Sequence, residues 1–67
     1  MLPSLIDFLG HIQIELDFIL RASAGLSSEE FLADEIRTRA VVRSLEIIGE
    51  ASKRVPEAFR FAHPQFA

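Results

Sequence analysis

The sequence predicts an all-α protein, an antiparallel helical hairpin in which two long helices flank a short one and a C-terminal stub follows. Apolar residues recur at helical spacing in two long segments, and serines stand where helices should begin. No segment alternates with the period of a strand. The 67 residues should form a single domain, 1–67, that is marginal for a self-sufficient core.

Composition narrows the classes of function. The chain has no cysteine, so neither disulfides nor thiolate metal sites can stabilise it, and oligomerisation is the remaining usual route. A net charge of −3 gives no basic footprint for non-specific nucleic-acid binding. No apolar run is long enough to span a bilayer, and the start lacks the positive region of a secretion signal. We expect a cytoplasmic protein with no cofactor.

The first helix is predicted from Leu5 to about Ala22. Pro3 and Ser4 open it, with Ser4 as N-cap and Asp7 in the first turn. One core-facing stripe comprises Leu5, Phe8, Leu9, Ile12, Leu16, Ile19 and Leu20, with Ile6 at its border. Ile14 and Phe18 fall on the opposite side, where they are either scattered surface hydrophobes or a second contact face for a partner.

The next two helices have clear start signals. Gly25 suits the left-handed position after the first helix. Ser27 and Glu30 have the spacing of a capping box, which predicts a short helix, and Asp34 can cap the long one. The pattern leaves open whether these are two helices or one that bends.

The long helix is predicted from Glu35 to Val55, where Pro56 should stop it and allow at most one further turn. Its apolar face comprises Ile36, Ala40, Val41, Ile47, Ile48, Ala51 and Val55, widened by Val42, Leu45 and Gly49. A helical glycine costs roughly 1 kcal/mol relative to alanine, and close approach of another helix backbone is the favoured reason for Gly49. The predicted dimer or partner interface comprises Ile14, Phe18, Val42, Leu45 and Gly49.

The polar side of this helix is a stripe of Arg39, Arg43, Glu46, Glu50 and Lys53, spaced three or four residues apart. It is either a salt-bridged solvent face or the lining of a cleft between subunits, in which arginine would bind phosphate.

Metal and acid-base chemistry have few candidates. Asp7, His11 and Glu15 share one helix face and could in principle hold a divalent metal, but a solvated histidine between carboxylates is the commoner explanation. His63 precedes a proline near the end of the chain, where side chains are seldom held rigidly enough for general acid–base catalysis. We therefore predict no metal site and no catalytic residue.

Residues 40–54 carry the run AVVRSLEIIGEASKR. It resembles the signature of the HepT-like branch of the HEPN superfamily. Three flanking segments agree in order with that family: residues 7–12 (DFLGHI), 27–35 (SSEEFLADE) and 59–64 (FRFAHP).

The resemblance implies the first half of a HEPN-type four-helix bundle. It also implies a HepT/MntA-type toxin, which is a metal-independent ribonuclease that dimerises and is neutralised by a nucleotidyltransferase antitoxin. The family's catalytic motif is an arginine followed after four to six residues by a histidine, and these residues contain no such spacing. Arg43, Glu46 and Glu50 match the signature and are expected to bind RNA or support the cleft.

Two functions follow from this resemblance. The chain is expected either to be part of a HepT-like ribonuclease toxin, inactive without the motif, or to be a non-catalytic helical module for dimerisation or antitoxin binding. It could be a fragment of a longer product or a shortened family member, and only a longer product would take RNA as substrate.

Overall fold

A computed structural model describes the backbone of residues 4–66 and the side chains of residues 4–65. It contains α1 (Leu5–Ser23), α2 (Ser28–Ala33), α3 (Glu35–Ala62) and a short 3₁₀ helix at Pro64–Phe66. No strand occurs within this part of the chain, so the all-α hairpin predicted from the sequence is confirmed. Pro3, predicted to open the first helix, lies outside the described residues, as does Ala67.

Helix starts are fixed by local side-chain caps. In α1 the Ser4 backbone N–H donates to the Asp7 carboxylate at 2.9 Å, and the Asp7 N–H donates to the Ser4 hydroxyl at 3.2 Å. Ser27 and Glu30 form the same reciprocal pair at the start of α2. Gly25 has φ 74, the left-handed conformation that favours glycine. Because these caps satisfy N–H groups that the helix itself cannot, both predicted starts are confirmed.

Asp34 separates α2 from α3, which resolves the alternative that the sequence left open in favour of two helices. Its carboxylate accepts from the Arg37 backbone N–H at 3.0 Å and also from the Arg37 guanidinium. That guanidinium donates in addition to the Ala22 carbonyl at 2.8 Å. One arginine thereby connects the end of α1 to the start of α3.

The prediction that Pro56 ends the long helix is wrong, because α3 continues through it to Ala62. Proline removes one backbone donor and so leaves the carbonyl of Ser52 without its helical partner. Ser52 and Pro56 are both exposed, so water can bind that carbonyl. The turn beyond Pro56 also carries Ala58, which is half-buried and lines a groove beside α1.

The core is a single seam between antiparallel α1 and α3. Glu15 is hydrogen-bonded to Ser44, and Ala22, further along α1, is hydrogen-bonded to Arg37, which comes earlier in α3. The buried residues among those described are Val41, Ser44 and Ala51, all on α3. On α1 the half-buried residues at seam positions include Phe8, Ile12, Glu15 and Ile19.

The predicted apolar faces were too wide. Ile36 was placed on the core-facing side of the long helix but is 83% exposed. On α1, Ile6, Leu9, Leu16 and Leu20 are also exposed. A seam between two helices covers only a narrow strip of each, so much of each predicted face has no partner within the hairpin.

The hairpin is long and thin. It measures 48 × 20 × 17 Å, and its Cα radius of gyration is 15.3 Å, whereas a compact domain of this length would have roughly 11 Å. None of the described helices is both long enough and apolar enough to cross a membrane.

Replacing Pro56 with alanine should stabilise the protein. Alanine restores the missing backbone donor inside α3, and the expected gain in free energy of unfolding is roughly 2–3 kcal/mol. Urea titration followed by circular dichroism at 222 nm measures it. Pro64→Ala, which lies beyond the helix, is the matched control and should change stability by less than about 0.5 kcal/mol. A lower stability for Pro56→Ala would mean that α3 does not run through this position.

Candidate functional site: the open face and polar stripe of the long helix

A buried polar pair lies in the middle of the seam. Ser44 is 3% exposed, and its hydroxyl donates to the Glu15 carboxylate at 2.8 Å across the two helices. A buried hydroxyl without a partner is costly, so this bond fixes which turn of α1 faces which turn of α3. The sequence analysis did not single out Ser44. The sequence did contain an indication of this bond, because Ser44 stands at the centre of an apolar helix face. A buried hydroxyl there requires a polar partner on the facing helix.

The polar stripe of α3 lies on the side away from α1. Arg43 pairs with Glu46 at 3.7 Å, Lys53 with Glu50 at 3.3 Å, and Arg39 with Glu35 at 2.8 Å. Each of these side chains is more than half exposed. Arg43, Glu46 and Glu50 therefore form a row of solvent-facing ion pairs along one helix, and exposed pairs of this kind add little to stability.

A second surface, which we call the open face, is apolar and exposed. It comprises Leu9, Leu16 and Leu20 of α1 and Val42, Leu45 and Gly49 of α3. On each helix these residues lie roughly a third of a turn around the helix axis from the seam residues. The rotation has the same sense on both helices when each is viewed from its N-terminus. Because α1 and α3 run in opposite directions, equal rotations bring both stripes to the same side of the hairpin. The open face is thus one continuous surface across two helices.

The predicted interface residues do not all lie together. Val42, Leu45 and Gly49 are on the open face, whereas Ile14 and Phe18 lie on the other flank of α1. Ile14 is 61% exposed and Phe18 is half-buried. A methyl group added at Gly49 would have no described atom within 4 Å apart from the backbone of its own helix. The close helix approach predicted at Gly49 therefore does not occur within the hairpin, and it stays a prediction for a partner.

The three candidate metal ligands are not assembled. Glu15 binds Ser44 at the seam, and the Asp7 carboxylate accepts from Ser4. The backbone N–H of Ser4, and then its hydroxyl, hold the pKa of Asp7 below its ordinary value of 3.8. No group of three His, Asp or Glu side chains that could hold a metal occurs among the described residues. His63 packs its ring at 4.8 Å from that of Phe59, close to the end of α3.

A groove of about 360 Å³ lies where the start of α1 meets the end of α3. Phe8 and Phe61 give it an apolar lining, and Arg54 and Glu57 supply one charge of each sign. The Arg54 guanidinium carbon is 6.0 Å from the centre of the Phe8 ring, at the limit of a cation–π contact. This arrangement can hold an apolar side chain, and none of the described residues that line it is a histidine.

The described residues form a helical hairpin with a row of exposed ion pairs and an exposed apolar face, and comparisons with known proteins identify its family. Residues 12–65 match the family described as Ribonuclease HepT-like. This chain belongs to the HepT-like ribonuclease family, within the HEPN superfamily. The resemblance carried by residues 40–54 is thereby confirmed.

Several relatives agree with this assignment. A protein of Caldanaerobacter subterraneus subsp. tengcongensis, named as a putative RNase, is 50% identical over 56 residues, covering 84% of this chain and 50% of the relative. A probable ribonuclease HepT of Thermococcus cleftensis is 41% identical over 59 residues, 88% of this chain and 54% of the relative. A Methanocaldococcus jannaschii protein named as a putative RNase is 41% identical over 61 residues, 91% of this chain and 47% of the relative.

The chain therefore spans about half the length of the curated relatives it matches. No solved structure matches the chain significantly.

The bond between Ser44 and Glu15 should be measurable as a coupling. Ser44→Ala should lower the free energy of unfolding by about 1 kcal/mol because the hydroxyl no longer binds the carboxylate. In a double-mutant cycle with Glu15→Ala the coupling energy should also be about 1 kcal/mol. Ser52→Ala, an exposed serine of the same helix, is the control and should be nearly neutral. Strictly additive effects at the two positions would show that the pair does not set the register.

Proposed function

We propose that these residues form the supporting helical half of a HepT-like ribonuclease toxin and do not cleave RNA by themselves. In this proposal the hairpin presents Arg43, Glu46 and Glu50 at the edge of a cleft, and the catalytic arginine and histidine are supplied from elsewhere. The observation that carries the proposal is the absence of the family's catalytic spacing from a sequence that otherwise matches the family.

The side chains of the hairpin support the proposal that the catalytic residues come from elsewhere. RNA cleavage without a metal needs a base and an acid placed at the reacting phosphate. His11 is exposed on α1, and His63 lies beyond α3 with its ring beside that of Phe59. Neither histidine is adjacent to the polar stripe in sequence. The stripe offers guanidinium and ammonium groups, which can bind phosphate but do not transfer protons at neutral pH. Its carboxylates, Glu46 and Glu50, are paired with Arg43 and Lys53.

The 67-residue chain should leave RNA intact. Purified chain incubated with tRNA and with an mRNA in EDTA is expected to give no products on a denaturing gel, because its sequence lacks the family's catalytic arginine–histidine spacing. Arg43→Ala and, as a matched exposed arginine on α1, Arg21→Ala should look the same as the parent chain. Cleavage that Arg43→Ala abolishes and Arg21→Ala retains would overturn the proposal of inactivity.

A second function, as a non-catalytic interaction module, is favoured by the open face. An exposed apolar surface of this extent marks a protein contact more often than a free surface. For a HepT-like chain the proposed partners are a second subunit and a nucleotidyltransferase antitoxin, which would neutralise the toxin. Binding of either needs no catalytic group on this chain.

The antitoxin proposal can be tested by co-expression. The tagged 67-residue chain is produced together with the nucleotidyltransferase encoded beside its gene, and the two are expected to co-purify in a fixed ratio. The chain with Arg43→Ala and Glu46→Ala tests whether the polar stripe takes part. A neighbouring gene of another class, or a nucleotidyltransferase that elutes separately, would remove the antitoxin from the proposal and leave the ribonuclease assay unaffected.

A further inference from the structure

The groove between the start of α1 and the end of α3 lies apart from the open face. It encloses about 360 Å³, which is within the range of ligand sites, and its apolar lining includes Leu5, Phe8, Ala58 and Phe61. Phe61 is 84% exposed although it borders this apolar lining. A ring that buries so little of its surface contributes little to folding, so it is available to a ligand.

Two charged groups of opposite sign border the same groove without binding each other. Arg54 and Glu57 are three residues apart on α3, a spacing at which such residues commonly pair. No ion pair joins them in the part of the chain that the structure describes. The Arg54 guanidinium carbon lies instead 6.0 Å from the centre of the Phe8 ring. The groove therefore offers a cation and a carboxylate to a ligand with complementary groups and a flat body.

We infer that the groove binds one unpaired base of a single RNA strand, with a neighbouring phosphate on Arg54 and the Watson–Crick edge of the base toward Glu57. Proteins bind unpaired bases by stacking them on aromatic rings and guanidinium planes, and by hydrogen bonds to the base edges. Phe8, Phe61 and Arg54 supply the rings and the guanidinium. The inference rests on the proposed function, because it presupposes that the complete protein acts on RNA.

The open form of the groove favours a base within a strand over a free nucleotide. A site for a free small ligand covers most of the surface of that ligand. Here Phe61, Arg54 and Glu57 are all exposed, so the groove can enclose only part of what it binds. A strand leaves its other nucleotides outside the groove and gains contacts for them elsewhere.

Arg43 gives such a strand a second phosphate contact. Arg43 and Arg54 are eleven residues apart on α3, which places them about 20° apart around the helix axis and about 16 Å apart along it. An extended strand with one base in the groove can therefore reach Arg43. The ion pair between Arg43 and Glu46 is 3.7 Å long and exposed, so a phosphate can replace the carboxylate at little cost.

Glu57 predicts which base the groove prefers. A carboxylate only accepts hydrogen bonds, so it favours a base that presents N–H donors. Guanine presents two adjacent donors on its Watson–Crick edge, whereas uracil presents one donor between two carbonyl oxygens, which a carboxylate repels. We therefore expect guanine in the groove.

Titration of the 67-residue chain with short RNA strands, followed by amide NMR shifts, tests the inference. One strand has seven uridines, and the other has guanosine in place of the central uridine. The guanosine-containing strand should shift the amides of residues 5–8 and 54–62, should saturate below about 1 mM, and should bind at least about threefold more tightly than the all-uridine strand. Free GMP should bind at least about tenfold more weakly than that strand.

Substitutions at exposed positions identify the contacts without placing the fold at risk. Phe61→Leu keeps an apolar side chain but loses the flat ring, and it should weaken binding of the guanosine-containing strand about tenfold. Arg54→Gln should lower the slope of log affinity against log salt by about 0.7, since one phosphate contact is lost. Arg21→Gln, an exposed arginine of α1, is the matched control and should change neither quantity. Glu57→Gln should remove the preference for guanosine.

Three results would overturn the inference. In the first, neither strand shifts the amides of the groove. In the second, GMP binds as tightly as the strand, which would make a free nucleotide the ligand. In the third, Phe61→Leu binds as well as the parent chain, because the groove would then accept any apolar group, such as a side chain of a protein partner. All three leave the cleavage assay unchanged, whereas strands cut during the titration would contradict the proposed inactivity and not the base site.

Discussion

The hydrogen bond from Ser44 to Glu15 is the constraint on which the hairpin depends. It is the one side-chain hydrogen bond among the described residues that joins a residue of α1 to a buried position of α3. A shift of α3 by one turn along α1 would separate the two groups and leave a buried hydroxyl without a partner. The bond therefore selects one register from several that apolar contacts alone would tolerate, and this register brings the two stripes of the open face side by side.

Apolar packing between α1 and α3 contributes less to the stability of this hairpin than the core of an ordinary domain does. Val41 and Ala51 are the buried hydrophobic residues of the described chain, and both side chains are small. A seam built from such residues brings α1 and α3 together but encloses little volume. The larger apolar side chains, among them Leu9, Leu16 and Leu45, remain on the surface. The relatives that the chain matches are about twice as long, and the apolar side of a two-helix layer is buried when another layer covers it.

Local chemistry could be predicted from the sequence, and contacts across the fold could not. The caps at Ser4, Ser27 and Asp34 follow from residues three positions apart, and all three form as expected. Pro56 was misjudged because the penalty of a proline depends on whether water can reach the carbonyl four residues earlier. Ile36 was misjudged because periodicity identifies an apolar face without saying how much of it a neighbour covers. The polar stripe lies on the exposed side of α3, where the sequence predicts it, and its residues form ion pairs within that helix.

The guanidinium of Arg37 has a consequence for how the chain folds. It binds both the Asp34 carboxylate and the Ala22 carbonyl, and so closes the connection between α1 and α3, which includes α2. Contacts at this end of the hairpin close shorter loops than contacts at the other end, and contacts formed next to them add little further closure entropy. Assembly of the hairpin is therefore easiest from this end, with the seam forming turn by turn toward Phe8 and Arg54. Because each contact lies near one already made, the topology belongs to the rapidly folding class.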